Sequence, residues 1–152
     1  ADVIATALTF GAGIDDMANL DLAYAPPYNS AMDPIHVAAN VIRNKLAGIA
    51  NSTSPMEVKA MIDSGTDFIL LDVRNARELV ESRIDARQVR HIPLGELRIR
   101  LNELPRDAEI VVLCHRSVRA YQAQRILSGA GFSNVKFVDG SIVTWPYELA
   151  SG

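Results

Sequence analysis

Six consecutive residues, Cys114-His115-Arg116-Ser117-Val118-Arg119, concentrate the side chains of this chain that could do chemistry. Cys114 is the only cysteine. It directly follows the apolar run Ile110-Val111-Val112-Leu113 and precedes a segment, 118–127, with amphipathic helical spacing. A strand end, a tight loop and a helix start are therefore expected around the sulfur. A helix start carries partial positive charge and amide donors without intrahelical partners. Arg116 and Arg119 add full positive charges, and such a turn aims several amides at one concave spot. Each effect favours a thiolate over a thiol, and the thiolate is the nucleophilic form. The chemistry expected is attack by this sulfur on an electrophile delivered as an anion, which the loop then holds. His115 is read as a substrate contact and not as a base, because a thiolate held by amides and guanidiniums needs none. The competing reading of Cys114 is a buried, inert thiol, since free cysteine is among the most buried residue types. Its place at a strand end, ahead of a helix, favours the reactive one.

The elements that must position this loop read as alternating strands and helices. Residues 68–71, 110–113 and 135–138 are short, continuous apolar runs, as in strands buried on both faces. A further short strand is expected within 89–94, closed by Pro93. Ser54-Pro55-Met56-Glu57 is a capping box that opens a helix to about residue 63. Helices are also expected over 76–82, 94–104 (leucines at 94, 97, 101 and 104, stopped by Pro105) and 118–127. Asp139-Gly140 turns the chain into a final short helix that carries Trp145, read as core. This alternation predicts parallel βαβ units, hence an α/β fold with a parallel sheet flanked by helices on both faces. In such sheets ligands bind beyond the C-terminal strand ends. Asp72 also ends a strand, and is expected to pin the loop by hydrogen bonds. Arg74 is expected at the pocket mouth or on the surface. His36 and His91 are read as structural.

Before about residue 50 the pattern differs. Residues 2–9 alternate apolar and small side chains and are expected to form a strand, broken by Gly11 and Gly13. Asp33-Pro34 opens a helix with an apolar stripe of Ile35, Ala38, Ala39 and Ile42. Between them lies an aromatic loop containing Tyr24-Ala25-Pro26-Pro27-Tyr28. Such a segment buries too little surface to fold alone. It requires either the rest of a longer chain or a second copy. Gly48 is read as the stop of that helix, and the boundary is expected in the polar segment from Asn51 to Ser54, giving domains at 1–50 and 54–150.

Composition narrows the function classes. The 152 residues are 49% apolar and 22% charged, with a net charge of −3, which argues against a nucleic-acid surface. No apolar run approaches the roughly 20 residues of a membrane span. The start Ala1-Asp2-Val3-Ile4 has no signal-peptide features and no initiator methionine, and reads as that of a fragment or processed product. One cysteine excludes an intramolecular disulfide or a multi-thiolate zinc site, and a cytoplasmic, reducing location is the simplest expectation. No metal is expected.

The motifs after Ser54 resemble those of rhodanese domains. Leu70-Leu71-Asp72-Val73-Arg74, with Glu78 four residues on, resembles the D-x-R-x-x-x-E motif of that family. Ile92-Pro93-Leu94 with Glu96-Leu97 resembles the strand and helix that follow it. Cys114 to Arg119 resembles the six-residue active-site loop, and Gly131-Phe132-Ser133-Asn134-Val135 with Asp139-Gly140 and Trp145 resembles the closing strand and helix. The resemblance implies a thiosulfate or persulfide sulfurtransferase working through a Cys114 persulfide. It implies a small sulfane-sulfur donor and a thiol acceptor, coenzyme A among the candidates. His115, Arg116, Ser117, Val118, Arg119 and Arg74 would bind substrate, and Asp72 and Glu78 would support the loop, Glu78 as a carboxylate partner for Arg119. Cysteine-dependent phosphatases of the same fold use a seven-residue loop and would need arginine at position 120, which is Ala120. Two departures stand out. Ser117 occupies a usual glycine position of the loop, and Ser82-Arg83 replaces a usual Gly-His pair. Ser117 motivates the alternative of a catalytically weak binding or sulfur-sensing module.

The first 48 residues resemble the end of the dimerisation domain of flavin-dependent pyridine nucleotide-disulfide oxidoreductases, on Asp2-Val3-Ile4-Ala5-Thr6-Ala7-Leu8, Asp21 to Tyr28 and Asp33-Pro34. The coenzyme A-disulfide reductase branch of that family sometimes carries a C-terminal rhodanese domain. The resemblance implies a homodimer through residues 1–50 and a contact of Tyr24 or Tyr28 with the partner subunit. FAD and NAD(P)H are expected only in a full-length parent, because no G-x-G-x-x-G stretch is present here.

Overall fold

The computed structural model describes residues 2–152. The chain divides into two compact units, Ala1–Ala50 and Asn51–Gly152.

The first unit is helical: α1 (Asp2–Thr9), α2 (Ile14–Ala18) and α3 (Pro34–Leu46). The strand expected over 2–9 is thus a helix. Val3, Ile4, Ala7 and Leu8 fit a period of two loosely, but they also lie three and four residues apart. Among the described residues this unit offers no strand to pair with. A helix satisfies its backbone internally, whereas a lone strand cannot. The Thr9 hydroxyl donates to the Ala5 carbonyl at 2.8 Å, one helical turn back. In α3 the Asp33 carboxylate accepts the Ile35 amide at 3.1 Å. His36 takes the acidic seat of the capping box: its Nδ1 accepts the Asp33 amide at 3.0 Å, so its Nε2–H donates to the Leu20 carbonyl at 2.8 Å. The buried face is Ile35, His36 and Ala39, while Ala38 and Ile42 of the expected stripe are exposed.

The second unit is an α/β domain around a five-stranded, all-parallel sheet. Its strands are β1 (Ser52–Thr53), β2 (Ile69–Asp72), β3 (Val89–His91), β4 (Ile110–Leu113) and β5 (Val135–Val138), in the order β1-β5-β4-β2-β3. Central β4 is buried throughout, which explains its unbroken Ile-Val-Val-Leu run. The helices are α4 (Pro55–Asp63), α5 (Ala76–Glu81) and α6 (Val118–Gly129). The capping box forms as read: Ser54 Oγ accepts the Glu57 amide at 3.2 Å, and Glu57 accepts the Ser54 amide at 2.7 Å. Leu70, Val111, Leu113 and Val138 pack with Val58 of α4, Ile142 and Trp145 on one face. Toward the other face, the Tyr121 ring of α6 meets Phe137 of β5 edge-on, centroids 5.9 Å apart.

The helix expected over 94–104 is instead two 3-10 turns, Leu97–Ile99 and Leu101–Glu103. Bonds from Glu96 to Pro93, Leu97 to Leu94 and Ile99 to Glu96 all span three residues. Gly95 and Asn102 are poor helix formers and weaken the segment at both ends. Tight turns still bury Leu97 and Leu104. No helix among the described residues is long and apolar enough to cross a membrane.

Candidate functional site

Strands β2, β3 and β4 end level with one another, with Asp72 paired to His91 and to Leu113 in register. Cys114 therefore emerges at the C-terminal edge of the sheet, on its central strand. It is a free thiol, 1% exposed. Its backbone is clamped by the turn after β5. The Cys114 amide donates to Ser141 Oγ at 3.2 Å, and the Cys114 carbonyl accepts the Ile142 amide at 3.2 Å. Ser141 Oγ also lies 3.7 Å from Cys114 Sγ. The His115 carbonyl accepts the Val143 amide at 3.2 Å.

The loop then turns sharply into α6. Ser117 has φ +73° and ψ −39°, and the Val118 amide returns to the Arg116 carbonyl at 3.0 Å, closing a γ-turn. That geometry is strained for a residue with a Cβ. Ser117 Oγ accepts the Gly140 amide at 2.6 Å, tying the loop to the β5 turn. His115, Arg116 and Val118 are exposed around the loop, and Ser117 and Arg119 are half-buried.

Arg119 grips Glu78 with two parallel bonds, Nη1 to Oε2 at 2.8 Å and Nη2 to Oε1 at 2.6 Å. Those bonds hold the Glu78 carboxyl at about 2, well below its ordinary 4.5, against the opposing pull of burial; the Asn75 amide and the charges of Arg119 and Arg74 contribute less. The Arg119 guanidinium is correspondingly pushed up, first by Glu78, then to a smaller extent by the charges of Cys114 and Asp72. Because the folded carboxyl titrates below the unfolded one, the pair's stabilisation is complete above about pH 4.5 and is lost as pH falls toward about 2. Both side chains are almost a third exposed, so solvent screening limits the pair to about 1 kcal/mol. Glu78→Gln is expected to cost that amount at neutral pH, and its deficit against the native protein should vanish as urea unfolding is repeated from pH 5 down to 2. A deficit that stays constant would show that the charge pair does not supply the stability.

Arg74 corrects the expectation from sequence. It does not line a pocket mouth or lie on the surface: it is 1% exposed beneath the site. Its Nε donates to both Asp72 oxygens at 3.0 Å, its Nη2 to Oδ2 at 2.7 Å, and its amide to Oδ1 at 3.0 Å. Its Nη1 reaches the Glu78 carbonyl at 3.4 Å, and its own carbonyl accepts His91 Nε2–H at 2.8 Å. The residue two beyond Asp72 folds back over the strand end, which makes the guanidinium the counter-charge of a buried carboxylate. Asp72 and Arg74 thus support the segment leading to Glu78, and through Glu78 they support Arg119. Tyr24 and Tyr28 belong to the first unit, in its loop over 20–32, and both are exposed.

Ser141 was not singled out from the sequence, although it contacts the sulfur. The signal was present in Asp139-Gly140-Ser141, a turn at the C-terminal end of the strand beside β4. Gly140 has φ +70° and Ser141 φ +54°, and a methyl on Gly140 would overlap the Thr144 side chain. Thr144 cannot swing away cheaply, because its hydroxyl donates to the Asp139 carbonyl at 2.9 Å. Gly140→Ala should therefore cost about 2–4 kcal/mol, from backbone strain and overlap together. Trp145 is the only tryptophan and is buried in this unit, so its fluorescence during urea unfolding reads the loss. A loss below about 0.5 kcal/mol would refute the steric account.

Comparison with known proteins follows the second unit closely. The family model of the rhodanese-like domain matches residues 54–147. A sulfurtransferase of Allochromatium vinosum is 34% identical over 80 residues, which are 52% of this chain and 72% of that protein. Two solved structures extend across both units. An NAD-dependent persulfide reductase from A. fulgidus is 46% identical, with a TM-score of 0.77, over 95% of this chain and 25% of that one. The reduced Bacillus anthracis CoADR-RHD is 38% identical, with a TM-score of 0.80, over 92% of this chain and 24% of that one. The chain thus spans about a quarter of the length of these two proteins.

Proposed function

The chain belongs to the rhodanese-like domain family, and from that premise we propose that Cys114 is the nucleophile of a sulfurtransferase that cycles through a cysteine persulfide. The observation that carries this reading is the place of the Cys114 sulfur, on the central strand's C-terminal end at the entrance to α6, within 3.7 Å of a buried hydroxyl. In the first half-reaction the Cys114 thiolate attacks the outer sulfur of a donor such as thiosulfate. The S–S bond of the donor breaks, sulfite leaves with the electron pair, and Cys114 carries the outer sulfur as a persulfide. In the second, an acceptor thiolate attacks that outer sulfur, forms a new persulfide and returns Cys114 as thiolate. No net oxidant or reductant is consumed, and the acceptor thiol gives its proton to solvent. His115, Arg116 and the amides of the loop are the contacts for donor and acceptor, and Arg119, engaged by Glu78, shapes the loop.

The sulfurtransferase among the relatives supports the transfer chemistry, and the persulfide reductase among the solved structures supports a persulfide as the species handled. The acceptor in this reading is a low-molecular-weight thiol such as coenzyme A. Incubating the chain with thiosulfate and weighing it intact tests the reading. A gain of one sulfur atom is expected. No gain, or a gain that survives removal of the Cys114 thiol, overturns it and favours a binding or sulfur-sensing module, for which the near-complete burial of the thiol speaks.

The first unit we read as the C-terminal part of a reductase dimerisation domain, in a longer flavin-dependent parent that works in the reducing cytoplasm. Leu8, Phe10 and Leu46 of this unit are 64%, 84% and 76% exposed, a large apolar surface for so small a unit. A second copy would cover it, with Tyr24 and Tyr28 reaching toward the partner subunit. Neither FAD nor NAD(P)H fits the residues of this chain: β1, β2 and β4 run into their helices through turns that contain no glycine. Any dinucleotide site belongs to other parts of the parent. Sedimentation of the chain tests the pairing, with a dimer expected and a clean monomer counting against residues 1–50 as sufficient.

A further inference from the structure

The β4–β5 ladder breaks at the reactive residue. Ile110 pairs with Val135 and Val112 with Phe137, and the Ile110 amide donates to the Asn134 carbonyl at 2.9 Å. Continued by two further rungs, this register brings the Cys114 amide to the Val138 carbonyl. The structure splices a hydroxyl into that rung instead. Ser141 Oγ accepts the Cys114 amide at 3.2 Å and donates to the Val138 carbonyl at 3.1 Å. The same hydroxyl lies 3.7 Å from Cys114 Sγ, but it has one proton. It serves the carbonyl or the sulfur, never both. Val138 and Ser141 are fully buried, so a carbonyl abandoned there would find no water.

A second serine stands ready at that carbonyl. Ser117 Oγ is 3.5 Å from the Val138 oxygen, a long contact in the resting arrangement. Its acceptor side is already taken by the Gly140 amide at 2.6 Å, which leaves its proton for Val138. Glycine would take the backbone of residue 117 without strain. The serine hydroxyl is what joins this seat to the β5 turn.

We propose that Ser117 is a positioning residue for the charged forms of Cys114: its hydroxyl takes over the Val138 carbonyl when the Ser141 proton turns to the sulfur anion. With Sγ neutral, Ser141 donates to Val138. With a thiolate or persulfide at Cys114, Ser141 donates to sulfur and Ser117 closes on Val138, so that no buried acceptor is left unpaired. The persulfide arm of this inference rests on the sulfurtransferase reading, and the thiolate arm does not.

The test compares Ser117→Gly, Ser117→Ala, Ser141→Ala and the two Ser117 variants in the Ser141→Ala background. Cys114 alkylation by iodoacetamide is followed against pH, beside thermal melts and sulfur loading from thiosulfate. Ser117→Gly relieves the backbone yet removes the hydroxyl that accepts the Gly140 amide, two opposing effects that should leave its melt within a few degrees of the native one. Its alkylation profile should nonetheless move to higher pH, with thiolate favoured about five-fold less, which corresponds to about 1 kcal/mol. In the Ser141→Ala background the same change should move the profile no further. A native profile in Ser117→Gly, or an undiminished shift without Ser141, overturns the proposal. If Ser117→Ala fails to fold, Ser117→Gly alone decides the matter. If the native chain gains no sulfur while the alkylation shifts occur as expected, the sulfurtransferase reading fails and the Ser117 assignment stands.

Discussion

Cys114→Ser is expected to leave a folded chain that takes up no sulfur from thiosulfate. In the proposed cycle both half-reactions pass through a bond to Sγ, and a serine hydroxyl at neutral pH offers neither the anion nor the polarisable nucleophile. Transfer should fall by a factor on the order of 10³ or more, to the level of the uncatalysed exchange. The fold should tolerate the change. The replacement oxygen is smaller than the sulfur at this 1% exposed site, and the backbone bonds to Ser141 and Ile142 are untouched. A loss of about 1–2 kcal/mol is expected in urea unfolding monitored at Trp145. Intact mass after incubation gives the decisive readout. A variant that still acquires one sulfur, or a native chain that acquires none, would remove Cys114 from the role assigned to it.

Arg74→Met should produce the largest loss of stability of any single change at the site. It leaves the Asp72 carboxylate, 2% exposed, with its own backbone turn but no guanidinium. Breaking a buried pair in this way costs about 3–5 kcal/mol, because a desolvated charge is left without a partner. Removing both charges is a different matter. Asp72→Leu with Arg74→Met should recover a large part of the loss, since neither charge remains to be desolvated, although the Arg74 amide then loses its acceptor. Urea unfolding of the single and double variants, read at Trp145, closes the cycle. A single-variant cost under about 1 kcal/mol, or a double variant no better than the single, would show that the pair does not behave as a buried ion pair. The same experiment bears on function. Arg74 reaches the Glu78 carbonyl, so a loosened Arg74 should disturb the Arg119 grip and slow sulfur loading even where the chain still folds.

Much of the second unit was legible because local and global preferences agree there. Ile110-Val111-Val112-Leu113 has no polar face, so it is at home only in the middle of a sheet covered on both sides, and it occupies that position. Ser54 and Glu57 answer each other within one turn, so their cap needs nothing from the rest of the chain. Where preferences were ambiguous, tertiary surroundings chose. Residues 2–9 carry apolar side chains at spacings that suit both periods, and the lack of a neighbouring strand in their unit leaves the helix as the way to satisfy the backbone. Over 94–104 the leucine spacing suits an α-helix, but Gly95 and Asn102 weaken it, and separate turns bury Leu97 and Leu104.

The site divides along the same line. Residue types and order alone place Cys114 after a buried strand and before a helix, with arginines two and five positions on, because those are properties of contiguous chain. They also place Asp72 at a strand end. What they leave open is which charges face each other across the fold. Arg74, half expected at the pocket mouth, turns under the site because Asp72 is buried beside it and needs a counter-charge. Arg119 faces Glu78, 41 residues away, through a contact that exists only once α5 and α6 are set on the sheet. Ser141 meets the sulfur because β5 lies next to β4, a neighbour relation that sequence spacing does not encode. The cysteine and its loop were determined locally. The hydroxyls and ion pairs that surround it were decided by strand order, because they join segments that only the folded sheet brings together.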